Sequence, residues 1–417
     1  MITVHGGPPL HGTVAVEGSK NASLPLLAAA ACVPQQVAIT GLPGSADVLT
    51  MLSLLKSAGA EISLTPEAAL IGAITEPVGD LADAAEIRAS YYLIPAMLAA
   101  HGRARLPWPG GCSIGARGIE LLFAVYEAFG DLVTQDEDGY EVTAGRRSDP
   151  VHVELPFPSR GATIAAVLRA VVSRRVLVLR NPNRTAETLT LVGALRHSGV
   201  QIDIHEGEMR VVPTGLLHTA SWRVPGDKVE AGTLLSAIAI TRGAATVTGV
   251  PAEHLAAYSK AMDTLGFAIE LDGQTARLSA SRPYRAGRLA AIGSLEPDGL
   301  DADFEPALLV TALSMGGTHR FGDSINPGRH GNLIPELTRF GARITELSPT
   351  LCEVTGPQRL HPTIASATDI RTGTALVLAA LGTVGESNIT GTDQIKRGHP
   401  DLVGALAVLG AKIQEEG

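Results

Sequence analysis

The sequence predicts an α/β protein of two domains, each assembled from three copies of one small unit. Two observations support this fold class. A glycine-centred pattern recurs six times along the 417 residues, and helices that accompany its copies are apolar on nearly every side. A chain of this length is also too long for one ordinary hydrophobic core and suits two domains of roughly 200 residues.

The repeated pattern consists of an apolar helical stretch, a glycine and an alternating strand, as in Leu337-Thr-Arg-Phe-Gly341-Ala-Arg-Ile. Glycine takes the left-handed conformation that ends a helix without steric cost, so each central glycine is predicted to close a helix. The spacings between them are 71, 69, 67, 75 and 69 residues, a period that suits a small α/β unit rather than a solenoid. The central glycines are Gly59, Gly130, Gly199, Gly266, Gly341 and Gly410.

A second helix accompanies each unit and is apolar almost all round. Examples are Gly232-Thr-Leu-Leu-Ser-Ala-Ile-Ala-Ile and Thr374-Ala-Leu-Val-Leu-Ala-Ala-Leu. A helix without a polar face is predicted to lie inside its domain rather than on the surface. The turn-rich stretch Val224-Pro-Gly-Asp-Lys228 separates the third unit from the fourth and predicts the domain boundary.

Composition and charge exclude several classes of function. The net charge of −9 argues against a nucleic-acid or anionic-membrane surface, because both need clustered Lys and Arg. The longest apolar run is stopped by Pro34, short of the ~20 residues that a membrane helix needs. The start of the chain lacks the pattern of a secretion signal, so we expect a cytoplasmic protein. Cys32, Cys112 and Cys352 are odd in number and widely separated, which indicates neither a disulfide framework nor a zinc site.

Charged and polar residues recur at the predicted starts of the buried helices. A helix N-terminus presents unpaired N–H groups and the positive end of a dipole, so Lys or Arg there is unfavourable unless an anion binds. Several arginines with one lysine suit a ligand that carries both carboxylate and phosphate. Any one of these cations alone is better explained as solvated surface charge, but their recurrence favours a ligand site. The residues are Lys20, Asn21, Arg88, Ser159, Arg160, Gly161, Glu230, Asp303, Asp369 and Arg371, with Arg397 in a following loop.

Two residues are candidates for proton transfer. Cys112 lies in the segment Pro109-Gly-Gly-Cys112-Ser-Ile-Gly-Ala-Arg117, five residues before an arginine. A thiol beside cations has a lowered pKa and can act as a nucleophile or acid, whereas a thiol in apolar surroundings is inert; the sequence favours both interpretations about equally. Asp303 is a candidate general base, because a carboxylate near cations stays ionised. Its alternative role is a structural helix N-cap.

Five segments match a known family in order and spacing: Gly18-Ser-Lys20-Asn21-Ala, Arg88-Ala-Ser, the Cys112 segment, Asp369-Ile-Arg371 and Arg397-Gly. Together they resemble the UDP-N-acetylglucosamine 1-carboxyvinyltransferase family, and the Cys112 segment distinguishes it from the sister family of enolpyruvylshikimate-phosphate synthases. The resemblance implies the enolpyruvyl transferase fold: two inside-out α/β domains, each of three βαβαββ units with buried helices. Residues 20–227 would form the first domain and residues 1–19 with 228–417 the second, with the active site in the cleft between them.

The resemblance also implies an enzyme that moves the enolpyruvyl group of phosphoenolpyruvate to a hydroxyl of an acceptor, without a metal or an organic cofactor. The reaction would pass through a tetrahedral phospho-ketal that then loses phosphate. In the implied roles, the phosphate is held by Lys20, Arg117 and Arg397, the carboxylate is held by Arg371 and Arg329, and Arg88 supports these cations. The acceptor is contacted by Asn21 and Asp303, and Asp303 acts as the base. Cys112 is the acid and the target of fosfomycin. Ser159, Arg160, Gly161 and Asp369 complete the predicted substrate-binding set.

The sequence departs from this family on the acceptor side. The family's Arg-Pro-Val-Asp-Leu-His is replaced by Arg117-Gly118-Ile-Glu-Leu-Leu122, and its Lys-Val-Ser-Val-Gly by Phe157-Pro-Ser-Arg-Gly161. We therefore expect a uridine nucleotide such as uridine monophosphate as acceptor, as in nucleoside-antibiotic biosynthesis. The alternatives are the UDP-N-acetylglucosamine 1-carboxyvinyltransferase of peptidoglycan synthesis and an inactive protein that only senses these ligands.

Overall fold

Small sheets and the helices between them make up the protein. The computed structural model describes residues 1–75, 81–110, 118–145, 149–205, 207–213, 221–280, 287–296 and 298–416. Its α-helices are α1 (Lys20–Ala30), α2 (Ala46–Ser57), α3 (Ile94–His101), α4 (Glu120–Ala128), α5 (Arg160–Ser173), α6 (Ala186–His197), α7 (Lys228–Ile240), α8 (Ala256–Thr264), α9 (Glu305–Leu313), α10 (Arg329–Arg339), α11 (Ile370–Leu381), α12 (Asp393–Lys396) and α13 (Leu402–Val408). Short 3-10 helices cover Ala82–Ala85, Arg88–Leu93, Ala252–Leu255 and Ala302–Phe304.

The strands of the described residues form six separate sheets. They are β1 (Ile2–Gly6), β2 (His11–Ala15), β3 (Val37–Thr40), β4 (Ala60–Leu64), β5 (Ala68–Ile74), β6 (Arg103–Pro107), β7 (Leu132–Gln135), β8 (Gly139–Thr143), β9 (Val151–Glu154), β10 (Leu177–Arg180), β11 (Gln201–His205), β12 (Glu208–Val212), β13 (Ser221–Arg223), β14 (Ala244–Thr248), β15 (Ile269–Asp272), β16 (Thr275–Ser279), β17 (Ala290–Ile292), β18 (Gly317–Gly322), β19 (Ile344–Ser348), β20 (Leu351–Gly356), β21 (Ile364–Ser366), β22 (Gly385–Thr390) and β23 (Lys412–Glu415). The strand orders are β13-β3-β5-β4, β6-β8-β7, β11-β12-β10-β9, β15-β16-β14-β2, β17-β18-β20-β19 and β21-β22-β1-β23.

Each sheet belongs to one copy of the predicted unit. In the third and fifth copies the chain order is strand, helix, strand, helix and two strands, as β9-α5-β10-α6-β11-β12 and β17-α9-β18-α10-β19-β20 show. The first two strands of these copies run parallel, and a buried helix makes the crossover that parallel strands require. The predicted α/β fold class of βαβαββ units is therefore confirmed.

Three sheets are completed by strands from distant parts of the chain. The N-terminal strand β1 lies between β22 and β23, antiparallel to both. Strand β2 runs parallel to β14, and β13 runs parallel to β3, which lies about 180 residues earlier. The first residues of the chain therefore pack with its C-terminal half.

The central glycine of each repeat closes a helix, as predicted. Each one directly follows the C-cap residue of α2, α4, α6, α8, α10 or α13. All have a positive φ, between 82° at Gly130 and 99° at Gly199. Side chains other than glycine rarely adopt this conformation, so the spacing of the glycines fixes where each helix turns into the following strand.

Two hydrophobic clusters fill the protein, and the apolar helices lie within them. One cluster runs from Ala22 to Val224; the other combines Ile2 to Val14 with Ala231 to Leu409. Every residue of α11 is buried, which confirms the predicted buried helices. We propose that the clusters correspond to domains of residues 20–227 and 1–19 with 228–417. Among the described residues, no helix is long and apolar enough to cross a membrane.

The two halves are joined where backbones approach closely. Gly18 and Gly226 form an isolated antiparallel bridge. A Cβ at Gly18 would collide with the carbonyl oxygen of Gly41, and one at Gly226 with that of Gly249. Glycine is therefore required at both positions by space alone, which explains the turn-rich composition of this junction.

The structure corrects the predicted helix starts at two residues, Arg88 and Asp303. Both lie in 3-10 helices that precede α3 and α9 rather than in the α-helices themselves. Pro95 and Pro306 are the second residues of α3 and α9 and lack the N–H that would continue an α-helical ladder backwards. The preceding turns are closed instead by bonds between residues three apart.

A buried ion pair links α5 to the turn after α4. Nε of Arg169 lies 2.7 Å from Oδ2 of Asp131, and its Nη2 lies 2.7 Å from Oδ1. The Asp131 carboxylate also accepts a bond from the backbone N–H of Gly145. Both charged residues are about 5% exposed, so neither has water as a substitute partner.

We predict that Arg169→Met lowers the free energy of unfolding by about 3–5 kcal/mol, because it leaves the Asp131 carboxylate buried and unpaired. Arg320→Met is the control, since the Arg320–Glu353 pair lies on the surface and should contribute little. Urea unfolding of the three proteins measures the difference. Equal effects of the two substitutions would contradict a structural role for the buried pair.

Candidate active site

A cleft of about 550 Å³ lies between the two hydrophobic clusters. It is lined from both halves of the chain, by the N-terminal ends of α1, α5, α10 and α11 and by the 3-10 helices that precede α3 and α9. The predicted site residues that line it are Lys20, Asn21, Arg88, Ser159, Arg160, Gly161, Asp303, Arg329, Asp369, Arg371 and Arg397. Cys112 and Arg117 lie outside the described residues, while Gly118, which follows them, lines the cleft.

The first group of charges joins the two halves through Asp47. Nζ of Lys20 lies 3.1 Å from Oδ2 of Asp47, and Nε of Arg397 lies 3.2 Å from Oδ1. Ser19 caps α1 by accepting from the Ala22 N–H, which leaves Lys20 at the first helical position. One carboxylate therefore holds two cations that the sequence had predicted to bind an anion.

The second group of charges centres on Asp303. Its Oδ1 lies 2.8 Å from Nη2 of Arg329, and its Oδ2 lies 3.1 Å from Nη2 of Arg371. Burial alone would raise the pKa of Asp303, but the two guanidinium groups outweigh it and hold the pKa well below its usual range. The carboxylate is therefore ionised. Arg329 is itself 1% exposed and also pairs with Asp323 at 2.9 Å.

In the structure, Asp303 does not cap the helix, which was its alternative predicted role. Oδ1 of Asp301 accepts from the Asp303 N–H at 3.0 Å, so Asp301 is the cap of this 3-10 helix. Pro306 cannot donate to the carbonyl oxygen of Ala302, which accepts instead from the Glu305 N–H and from the side chain of Arg329. This turn leaves the Asp303 carboxylate facing the cleft between two arginines.

Asp369 has a structural role at the start of α11. Its Oδ1 accepts from the backbone N–H groups of Arg371 and Thr372, at 2.9 and 3.0 Å. Its Oδ2 accepts from the Thr372 hydroxyl and from the side-chain amide of Asn332. Asp369 therefore fixes the first turn of the helix that carries Arg371, and it also lines the cleft.

A four-membered charge network lies at the start of α5, where Arg160 lines the cleft. Nη2 of Arg160 lies 3.4 Å from Glu187 and 3.5 Å from Asp301, and Nζ of Lys228 lies 2.9 and 2.8 Å from the same two carboxylates. Burial would raise the pKa of Glu187, but Lys228 and then Arg160 lower it more strongly, so Glu187 is ionised. The charge of Arg160 is thus shared by two carboxylates rather than left facing the cleft.

The remaining predicted residues frame this part of the cleft. Ser159 caps α5 by accepting from the Ala162 N–H, which leaves Gly161 in the first turn against the hydroxyl of Tyr91. Nη2 of Arg88 donates to the carbonyl oxygen of Gly118 at 2.9 Å, so Arg88 anchors the chain next to the Cys112 segment. A Cβ at Gly118 would collide with the Glu120 carboxylate.

One set of metal-binding side chains occurs among the described residues, and it lies outside the cleft lining. The ligand atoms of Glu305, His330 and Cys352 lie within 4.8 Å of one another, and all three residues are buried. Nε2 of His330 is 2.9 Å from Oε1 of Glu305. The buried hydrogen bond between His330 and Glu305, beside the Cys352 thiol, explains why these side chains lie together without a metal ion.

Several residues that line the cleft, or that contact the charged residues lining it, carry no signal in the sequence. Asp47, Glu187 and Asp301 look like ordinary acidic residues at helix starts, and Lys228 and His399 look like ordinary loop or helix-end residues. Their partners lie far along the chain, since Asp47 and Arg397 are 350 residues apart. Only the three-dimensional convergence of helix starts brings them together.

The family follows from comparison with known proteins. A family model described as EPSP synthase (3-phosphoshikimate 1-carboxyvinyltransferase) matches residues 4–406. This chain belongs to that family of enolpyruvyl transferases. It is 33% identical to UDP-N-acetylglucosamine 1-carboxyvinyltransferase of Ruegeria pomeroyi and 32% identical to that of Dinoroseobacter shibae, in each case over 99% of this chain and 98% of the relative.

Solved structures have the same fold as this enolpyruvyl transferase. The enolpyruvyl transferase NikO from Streptomyces tendae superposes with a TM-score of 0.88 at 24% identity, covering 99% of this chain and 98% of NikO. EPSP synthase from Acinetobacter baumannii gives a TM-score of 0.78 at 17% identity, with both chains fully covered. The predicted family resemblance, the fold and the assignment as an enzyme that transfers enolpyruvyl groups are confirmed.

We predict that Cys112 of this enolpyruvyl transferase is alkylated faster than Cys32 or Cys352 at neutral pH. Burial raises the pKa of the Cys32 thiol to about 12, and it raises that of Cys352 still further, with Glu305 adding to the effect. Both therefore lack the thiolate that reacts. Mass mapping after brief exposure to iodoacetamide measures the order. Labelling of Cys32 or Cys352 at the same rate would contradict the assignment of Cys112 as the reactive thiol.

Proposed function

We propose that this enzyme transfers the enolpyruvyl group of phosphoenolpyruvate to a hydroxyl of a uridine nucleotide, with release of phosphate. The observation that carries the proposal is the pairing of four cleft cations on two carboxylates. Lys20 and Arg397 share Asp47, and Arg329 and Arg371 share Asp303. Two separate cationic pairs match a small ligand with an anionic group at each end.

In this proposal Lys20 and Arg397, with Arg117, bind the phosphate of phosphoenolpyruvate. The phosphate would exchange with Asp47, so binding replaces one anion by another and leaves neither cation unpaired. Asp47 is buried, so the loss of its partners is a cost that the phosphate contacts must outweigh. Charge that develops on the phosphate as its bond breaks would be stabilised by cations already held in place.

Arg371 and Arg329 would bind the carboxylate, because a guanidinium fork makes two parallel hydrogen bonds to it. This exchange would also change Asp303. While two guanidinium groups hold it, its lowered pKa makes it a weak base. When they turn to the substrate carboxylate, Asp303 loses part of that stabilisation and becomes a stronger base. The base would thus gain strength once phosphoenolpyruvate is bound.

The proposed chemistry has two steps. In the addition, the acceptor hydroxyl oxygen bonds to C2 of phosphoenolpyruvate, its proton passes to Asp303, and C3 receives a proton from Cys112. The product is a tetrahedral phospho-ketal. In the elimination, C3 returns a proton to the Cys112 thiolate, the C2–O bond to phosphate breaks with its electron pair on the phosphate, and the double bond is restored on the transferred group. The proton held by Asp303 passes to solvent, so both groups regain their starting state. No redox partner is needed for either step.

The acceptor side supports a small nucleotide such as uridine monophosphate. Leu122 is buried, and Phe157 is 49% exposed at the cleft, so two positions of the family's acceptor segments carry no phosphate ligand here. Arg160 is the added cation, but Glu187 and Asp301 already share its charge. A diphosphate would meet little uncompensated positive charge here, whereas a monophosphate needs fewer cationic partners.

A second candidate acceptor is UDP-N-acetylglucosamine. The relatives that are 33% and 32% identical over nearly their full length carry its name. Ser159 and Gly161 at the start of α5 still offer a helix N-terminus to an anion. An inactive ligand sensor is the third candidate, but a sensor has no need for the base Asp303 together with the acid Cys112.

We predict that Lys20→Ala and Arg397→Ala each lower kcat by about 100- to 1,000-fold without unfolding the protein, because each removes a cation from the leaving phosphate. Asp303→Asn should reduce turnover similarly through loss of the base. Lys396→Ala is the matched control: it is the neighbour of Arg397, but it is exposed and pairs with Glu415. Phosphate release from phosphoenolpyruvate measures all four. Near-normal turnover of Asp303→Asn would mean that another group is the base.

We predict that kcat/KM for uridine monophosphate exceeds that for UDP-N-acetylglucosamine by about 10-fold or more, since a lost hydrogen bond to a charged group costs about 1.5–3 kcal/mol. Both acceptors should be compared at the same concentration of phosphoenolpyruvate. A clear preference for UDP-N-acetylglucosamine would assign the second candidate function. Inactivity with both, combined with turnover on another hydroxyl acceptor, would overturn only the choice of nucleotide.

A further inference from the structure

His399 is a buried histidine that contacts one of the cleft arginines. Its Nε2 lies 2.8 Å from Nη1 of Arg371, and the residue is 1% exposed. A guanidinium has only hydrogen-bond donors, so Arg371 donates and Nε2 must accept. The ring proton therefore lies on Nδ1, and the imidazole is neutral.

The surroundings of His399 keep it neutral. Burial lowers its pKa, and the positive charges of Arg371 and Lys20 lower it further, well below the usual range. Asp303 opposes this shift but does not reverse it. Protonation would add a third cation beside two others and would remove the lone pair that Arg371 uses. His399 is therefore a fixed hydrogen-bond acceptor.

The other ring nitrogen of His399 indicates that the bond to Arg371 matters. Nδ1 is buried and has no hydrogen-bond partner within the described part of the chain. A buried, unpaired N–H reduces the stability of the fold. An apolar side chain here would avoid that penalty but could not accept from the guanidinium.

The backbone of His399 ties Arg371 to the segment that carries Arg397. The His399 N–H donates to the carbonyl oxygen of Ile395 at 2.9 Å, within the turn that ends α12. Arg397 lies in this turn as the C-cap of α12. Through His399, the start of α11 and this turn therefore hold their two arginines in a fixed relation.

We infer that His399 is a positioning residue that orients Arg371 for the carboxylate of the substrate. The inference rests on the proposed function, in which Asp303 releases Arg371 when phosphoenolpyruvate binds. Among the described residues, Asp303 and His399 are the side chains that bond the Arg371 guanidinium. After that release, His399 is the side chain that still holds it. A neutral acceptor fixes the guanidinium without cancelling the charge that attracts the substrate.

The test compares three substitutions of His399, which separate the effects of side-chain shape, of hydrogen-bond acceptance and of charge. His399→Leu removes the acceptor and should raise the KM for phosphoenolpyruvate by about 10- to 100-fold, the equivalent of one hydrogen bond to a charged group. The KM for the nucleotide should change little. His399→Gln keeps a neutral acceptor oxygen and should restore most of the loss. His399→Glu keeps an acceptor but competes for Arg371 as an anion, so its KM should rise like that of His399→Leu.

His319→Leu is the matched control, because His319 is equally buried and accepts from the Leu289 N–H, and neither residue lines the cleft. It should lower the Tm without changing the KM for phosphoenolpyruvate. Phosphate release is measured at varied phosphoenolpyruvate and saturating nucleotide, with folding checked by thermal melts.

The outcomes separate the two proposals. A wild-type enzyme that releases no phosphate from phosphoenolpyruvate with any hydroxyl acceptor would overturn the proposed function. An active wild type whose folded His399→Leu and His399→Glu variants keep its KM for phosphoenolpyruvate would overturn the role of His399. So would a His399→Gln variant as impaired as His399→Glu. If His399→Leu does not fold, the contrast between Gln and Glu decides.

Discussion

The structure of the cleft depends on the need to balance buried positive charge. Helix starts from both halves of the chain bring Lys20, Arg329 and Arg371 into one space, where positive dipole ends add to their charge. Arg397 reaches the same space from the turn that ends α12. Without an anion these groups would repel one another. Asp47 and Asp303 supply that anion within the protein, and each is shared by two cations. A ligand with a phosphate and a carboxylate can substitute for both.

The repeated unit explains why the charges converge. The buried helices are mostly apolar along their length, so most of their polar groups lie near their ends. The N-terminal ends of five of the six repeats' buried helices, or the turns before them, line the cleft. Small departures from helical geometry then aim individual side chains. Pro306 cannot donate to the carbonyl oxygen of Ala302, which accepts from the Glu305 N–H and also from Arg329. The same arginine pairs with Asp303.

The sequence predicts those parts of the fold and site that depend on local chemistry. The glycine period gives the six units because each glycine must take a positive φ after its own helix. Lys20 and Arg371 are predictable as site residues because they stand at capped helix starts. Asp47 and His399 are not, because their importance comes from partners in other units, and nothing local distinguishes Asp47 from an ordinary residue of a helix's first turn. The 3-10 turn at Asp303 depends on Pro306, which follows it and cannot donate the backbone hydrogen bond that an α-helical turn would need.

In the proposed reaction, the need to balance buried positive charge also affects which acceptor the enzyme prefers. Arg160 and Lys228 together face Glu187 and Asp301, two cations against two carboxylates, so this network has no net charge to offer an incoming phosphate. An acceptor anion must therefore displace Arg160 from a carboxylate that remains buried, as Glu187 does. A second phosphate would need a second cation, and Lys228 is already held at 2.9 and 2.8 Å by Glu187 and Asp301. The cost of binding therefore grows with each further phosphate. Selectivity for a less charged nucleotide can thus arise from competition within the protein rather than from a new contact to the ligand.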